Sequence, residues 1–117
     1  MSNEFTLGAD PEFPLIDNIT GEFVSAIDKL GGTKENPRLI SLYGHVQEDN
    51  TLAEINTVPA HNKDEWLQNV INLINDTDSL LADRNLSLGY SDVIYYDESV
   101  FYDPRANIFG IEFIIFT

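Results

Sequence analysis

The stretch Asn62-Lys63-Asp64-Glu65-Trp66-Leu67-Gln68-Asn69-Val70-Ile71-Asn72-Leu73-Ile74-Asn75-Asp76-Thr77-Asp78-Ser79-Leu80-Leu81-Ala82-Asp83-Arg84 decides the fold. Trp66, Leu67, Val70, Ile71, Leu73, Ile74, Leu80 and Leu81 recur at helical spacing, interrupted only at Asp76-Thr77-Asp78. Asn62 carries a side chain that can cap the first turn, and Glu65, three residues on, completes a capping box. Residues 63–84 therefore predict one helix about 33 Å long, at 1.5 Å per residue. On this pattern Trp66 belongs to the core. One apolar stripe needs a sheet to lie on.

The flanking segments supply strands. Residues 4–16 read as extended chain interrupted once, and Pro11 and Pro14 remove two ladder donors, which places this strand at an edge or a bulge. Asp17-Asn18-Ile19-Thr20-Gly21 is turn chemistry, so Glu22-Phe23-Val24-Ser25-Ala26 returns as the second arm of a hairpin. Residues 31–37 form a loop by composition. A second extended region covers residues 43–56, with a turn at Glu48-Asp49-Asn50 and a short strand at Leu52-Ala53-Glu54-Ile55-Asn56. After the helix, residues 86–96 are strand-like, 97–107 are a polar loop, and 108–116 are apolar and β-prone. The order ββ-loop-ββ-α-β-β predicts an α+β domain over residues 1–117: a mostly antiparallel sheet with one long helix packed across it.

Length and composition narrow the function. A chain of 117 residues suits one core, and its hydrophobic fraction of 43% is that of a globular protein. Twenty acidic residues face six Lys and Arg, for a net charge of -14. That balance argues against direct binding of nucleic acid or an anionic membrane. It leaves a divalent cation or a basic protein surface as partner. With no cysteine, disulfides, thiolate metal sites and cysteine nucleophiles are excluded. Met1-Ser2-Asn3-Glu4-Phe5 lacks the features of a signal peptide, and no apolar run approaches the ~20 residues of a bilayer span, so the expected location is cytoplasmic.

The candidate chemistry is carboxylate chemistry. Asp10 and Glu12 are two apart, as are Glu54 and Asn56, so each pair projects from one strand face. Glu48 and Asp49 sit between. Were these strands neighbours, several like charges would meet, and they would need a cation or a proton between them. Oxygen ligands without Cys or His suit Mg²⁺ or Mn²⁺. The plainer alternative is a solvated acidic face. Gly31-Gly32-Thr33-Lys34 could offer N–H groups and an ammonium to phosphate, although its spacing is not that of a P-loop and a simple glycine turn explains it as well. His45 and His61 lack any partner pattern.

The blocks Gly8-Ala9-Asp10-Pro11-Glu12-Phe13, Val24-Ser25-Ala26-Ile27, Gly31-Gly32-Thr33-Lys34-Glu35, Val46-Gln47-Glu48-Asp49-Asn50 and Ala53-Glu54-Ile55-Asn56, followed by Pro59-Ala60 and the helix, occur in order. In this the chain resembles the phage-encoded COOH–NH2 ligases of the glutamine-synthetase-like superfamily. The resemblance runs to about Gly110 and implies half of such a catalytic domain. It implies ATP-dependent joining of a carboxylate to an amine through an acyl phosphate. It also implies that Asp10 or Glu12, together with Glu54 and with Glu48 or Asp49 nearby, supply Mg²⁺ ligands, with Lys34 and Asn56 toward the nucleotide. Ligases of this kind are roughly twice as long, and their second half brings further basic residues to the phosphates, whereas this chain holds six cations in all.

Three functions follow as expectations. The preferred one is a non-catalytic acidic protein on a ligase-like scaffold. It would bind and inhibit a basic, nucleic-acid-handling host protein, such as a defence nuclease or a CRISPR effector, in the manner of a DNA mimic. Asp76, Asp78, Asp83, Asp92, Asp97, Glu98 and Asp103 are its candidate contact residues, and ordinary solubility explains the same acidity nearly as well. The alternative is a Mg²⁺- and ATP-dependent ligase completed by a second subunit or by a homodimer through residues 108–116. The third is a folded fragment with no activity of its own.

Overall fold

A computed structural model describes residues 6–91 and 93–107. The expected C-terminal strand, the homodimer through it and Asp92 lie outside the described residues. The elements are β1 (Glu12–Phe13), β2 (Leu15–Asp17), β3 (Phe23–Val24), β4 (Arg38–Ser41), β5 (Gly44–Asp49), β6 (Leu52–Thr57), α1 (Lys63–Ala82) and β7 (Leu86–Leu88). Two 3₁₀ turns, Glu98–Tyr102 and Pro104–Asn107, follow. The class is α+β, as expected. The strands form two antiparallel sheets, β1-β6-β5-β4 and β3-β2-β7.

Pro14 stands where the chain leaves one sheet for the other. Without an N–H it cannot continue the ladder, so β1 ends there as an edge strand of the larger sheet and β2 begins at the centre of the smaller one. The preceding strap runs along β6: Leu7 and Ala60 exchange N–H···O bonds of 2.7 Å, and the Ala9 and Pro11 carbonyls accept from Thr57 and Ile55 at 3.0 Å. The hairpin at 17–21 closes as its composition predicts, pairing Leu15 with Val24. In the second hairpin β5 runs on through Glu48 and Asp49, so these residues are strand and not turn. Asn50 makes the reversal, at φ 53°, a left-handed conformation that asparagine tolerates better than most side chains.

Asn62 caps α1 as expected, its Oδ1 accepting from the Glu65 N–H at 2.8 Å. The helix passes through Asp76-Thr77-Asp78 without a break and ends at Ala82, just short of residue 84. Its buried line is Asn69, Leu73, Thr77 and Leu81. Both polar members are satisfied: Asn69 Nδ2 donates to the Val58 carbonyl at 3.2 Å, and Thr77 Oγ1 donates to the Leu73 carbonyl at 2.7 Å. Trp66 is only half-buried, not core. Its indole donates to the Gly8 carbonyl at 3.2 Å and so pins the strap. Leu73 and Leu81 pack with Leu15, Leu30, Val46, Ile55 and Leu88 in one cluster that both sheets and the helix share.

Residues 86–96 do not form one strand. Leu88 pairs with Leu15, and the next position across is Pro14, which has no donor. The Gly89 N–H still reaches the Pro14 carbonyl at 2.7 Å, and the chain then turns off. Among the described residues no helix is long and apolar enough to cross a membrane.

Candidate functional site

The larger sheet has one face against α1, carrying Val46, Ala53 and Ile55. Strand alternation puts Gln47 and Asp49 of β5, and Glu54 and Asn56 of β6, on the opposite face. The register sets Glu12 directly across from Glu54, and Gln47 across from Glu54 on the other side. Three carboxylates therefore converge: Glu12, Asp49 and Glu54 each place an oxygen within 4.8 Å of the others.

The glycine loop supplies the countercharge. Gly31 adopts φ 77°, and Gly32 lies so close to β5 that a Cβ there would stand 2.4 Å from the Val46 carbonyl oxygen. The Gly32 carbonyl accepts the Glu48 N–H at 2.9 Å. These two glycines thus serve close backbone approach. Thr33 and Asn36 close the tip through reciprocal backbone bonds of 3.1 and 3.2 Å, and from it Lys34 reaches over the open face, its Nζ 2.9 Å from Asp49 Oδ1.

The electrostatics follow from this crowding. Partial burial, a hydrogen bond to Asp49 and the charges of Asp49 and Glu54 push Glu12 up to about 7 from 4.5. Burial also raises Glu54, helped by Asp49 and Asp10 and opposed by Lys34 and a hydrogen bond from Asn56. For Asp49 burial works upward, but hydrogen bonds from Glu12 and Lys34 outweigh it and hold the carboxylate below its usual value. Its hydrogen bond to Asp49 raises Lys34. Below about pH 7 one ammonium and a proton on Glu12, directed at Asp49, offset the three acids.

Of the five candidate metal ligands, the fold brings Glu12, Asp49 and Glu54 together. Asp10 is exposed on the strap, close enough for its charge to act on Glu54. Glu48 points away and accepts the Asp28 N–H at 2.9 Å. Of the two nucleotide candidates, Lys34 is at the site, and Asn56 donates to Gln47 Oε1 at 3.2 Å.

The acids proposed to meet a partner are dispersed, and several hold the fold. Asp78 Oδ1 accepts the Leu88 N–H at 2.8 Å, and Asp97 caps a 3₁₀ turn through the Ser99 N–H at 2.9 Å. Asp103 grips Arg105, which reaches on to Asp28 at 2.8 and 2.9 Å. Asp83 and Glu98 are exposed, and Asp76 is half-buried. The Asp28–Arg105–Asp103 cluster was not legible in the sequence, because 77 positions separate Asp28 from Arg105. The other arginines are also engaged: Arg38 donates to the Leu30 carbonyl at 3.0 Å and Arg84 to the Lys29 carbonyl at 3.1 Å.

Comparison with protein families, with curated proteins and with solved structures finds no match to this chain.

Proposed function

We propose that this chain is a non-catalytic acidic binding protein on a ligase-like scaffold, and that its partner is a basic, nucleic-acid-handling protein. One observation carries the reading. Among the described residues the carboxylate face receives a single ammonium, Lys34, already held by Asp49, while Arg38, Arg84 and Arg105 are engaged elsewhere. Moving a phosphoryl group between anions requires several positive charges around it. What remains is a surface whose net charge of -14 attracts cations at range. The test is competition: a DNA-binding protein captured by the immobilised chain after nuclease treatment is released by duplex DNA and by rising salt. Capture that is indifferent to both contradicts the reading.

The triad itself favours a second reading, a Mg²⁺ site belonging to an ATP-dependent carboxylate–amine ligase whose remaining cations come from another subunit. Oxygens on opposite sides of Mg²⁺ lie about 4.2 Å apart, so a spread of up to 4.8 Å needs only a small closure, with Lys34 displaced and Glu12 deprotonated. Glu12, Asp49 and Glu54 would hold the ion, which would supply charge neutralisation for phosphoryl transfer. Mn²⁺ titration followed by its electron-spin resonance decides: saturable binding, tighter at pH 8 than at pH 6, supports this site. Its absence at millimolar Mn²⁺ removes it.

A further inference from the structure

In the order β3-β2-β7 the smaller sheet ends at β3. Asp17 donates to the Glu22 carbonyl at 2.9 Å and Leu15 pairs with Val24, so antiparallel alternation turns the Phe23 N–H and C=O away from β2. Among the described residues no strand lies on that side. Instead, two adjoining clefts of about 370 and 380 Å³ run between β3 and residues 95–103, sharing Glu22, Phe23 and Asp97. Phe23, Val24, Tyr96 and Val100 are half-buried along them. Glu22, Asp28, Asp97 and Asp103 line the same channel, and among the described lining residues Lys29 is the one cation. Arg105 answers Asp28 and Asp103 from beside the channel, which leaves a net charge of about -2.

We propose that this channel binds an extended, lysine- or arginine-bearing segment of a partner protein, added as a strand to the outer edge of β3. The inference rests on the proposed basic partner and gives that partner a place and a mode of recognition. In strand addition, main-chain bonds to an edge provide affinity, while alternate side chains provide selectivity. Here every second side chain of the incoming segment lies on the face that Glu22 and Val24 share, where a cation meets the Glu22 carboxylate, and the intervening ones lie on the Phe23 face. An incoming residue opposite Phe23 gains two backbone hydrogen bonds. An apolar segment without cations leaves the carboxylates unanswered, and a basic helix, whose backbone groups bond one another, has none to offer the Phe23 N–H and C=O.

The test uses the whole chain and a fluorescent peptide of alternating lysine and valine, followed by anisotropy at low salt. N-methylation of every second peptide nitrogen, in the register facing β3, keeps charge and side chains while removing the donor to the Phe23 carbonyl and crowding the edge. The account expects binding that this methylation weakens roughly tenfold to a hundredfold. It also expects weaker binding by Glu22→Lys, a substitution at an exposed position away from the core. Equal binding of the methylated and parent peptides overturns the strand-addition inference and leaves the basic-partner reading standing. Failure of every basic peptide to bind at low salt overturns both. Self-association that blocks the edge and resists the peptide assigns it to a second copy and also overturns the inference.

Discussion

Glu12→Gln isolates the proton that holds the carboxylate triad together. Unfolded, this carboxyl titrates near 4.5. Folded, burial and its neighbours lift it to about 7. Between those values the folded chain keeps a proton that the unfolded chain has released, so stability is full below about pH 4.5, falls as pH rises and reaches its floor above about pH 7. Lifting a carboxyl from 4.5 to about 7 corresponds to at most about 3.4 kcal/mol, and screening of a residue as exposed as Glu12 reduces this to about 1 kcal/mol. Glutamine is neutral at every pH and can still donate to Asp49. Urea denaturation followed by Trp66 fluorescence should therefore give variant and parent equal stability near pH 4.5. At pH 8 the variant should be more stable by about 1 kcal/mol, or about 4 °C in Tm. Glu54, raised in the same direction, leaves part of the slope in the variant. Parallel profiles for the two proteins across this range would refute the shared-proton account.

Three further outcomes follow from the same geometry. Lys34→Met leaves Asp49 as a nearly buried carboxylate without its ammonium and should cost about 2 kcal/mol at neutral pH in urea denaturation, most of it recovered when Asp49→Asn is added. Gly32→Ala drives a methyl group to 2.4 Å from the Val46 carbonyl oxygen and should cost about 2 kcal/mol in thermal unfolding, whereas Gly8→Ala meets open space and should not. Asp78→Ala strands the Leu88 N–H and should cost about 1.5 kcal/mol, while Asp83→Ala at an exposed position should stay within about 0.5 kcal/mol, both read by urea denaturation.

The parts of the fold that local chemistry controls were legible in the sequence. Asn62 and Glu65 marked where α1 starts, and the 17–21 turn marked the first hairpin. Spacing by two put Glu54 and Asn56 on one strand face, and the register then set Glu12 opposite Glu54. What was not legible depended on distant partners. The missing donor of Pro14 read as an edge or a bulge, and nothing local says that the extended segment passes there from one sheet to another. The edge strand β4 exposes Leu39 to solvent at 66%, so it carries no apolar alternation to read. The helix turns Asn69 inward, where the Val58 carbonyl satisfies it, and Thr77 inward, where the Leu73 carbonyl one turn back does, while Leu67 and Ile71 stay exposed at 45% and 43%. Periodicity counts apolar residues and cannot see which polar ones have a buried acceptor waiting. The same limit hid the site's balance: the sequence offered carboxylates and one loop lysine, and only the folded arrangement pairs Lys34 with Asp49.

The proposed function requires that this anionic face, with too little positive charge, cannot hold a triphosphate. Calorimetric titration of the whole chain with ATP in the presence of Mg²⁺, near pH 8, tests it most directly. The account predicts no saturable heat beyond that of Mg²⁺ alone. Saturable nucleotide binding that Asp49→Asn abolishes would contradict it and return the chain to the ligase reading.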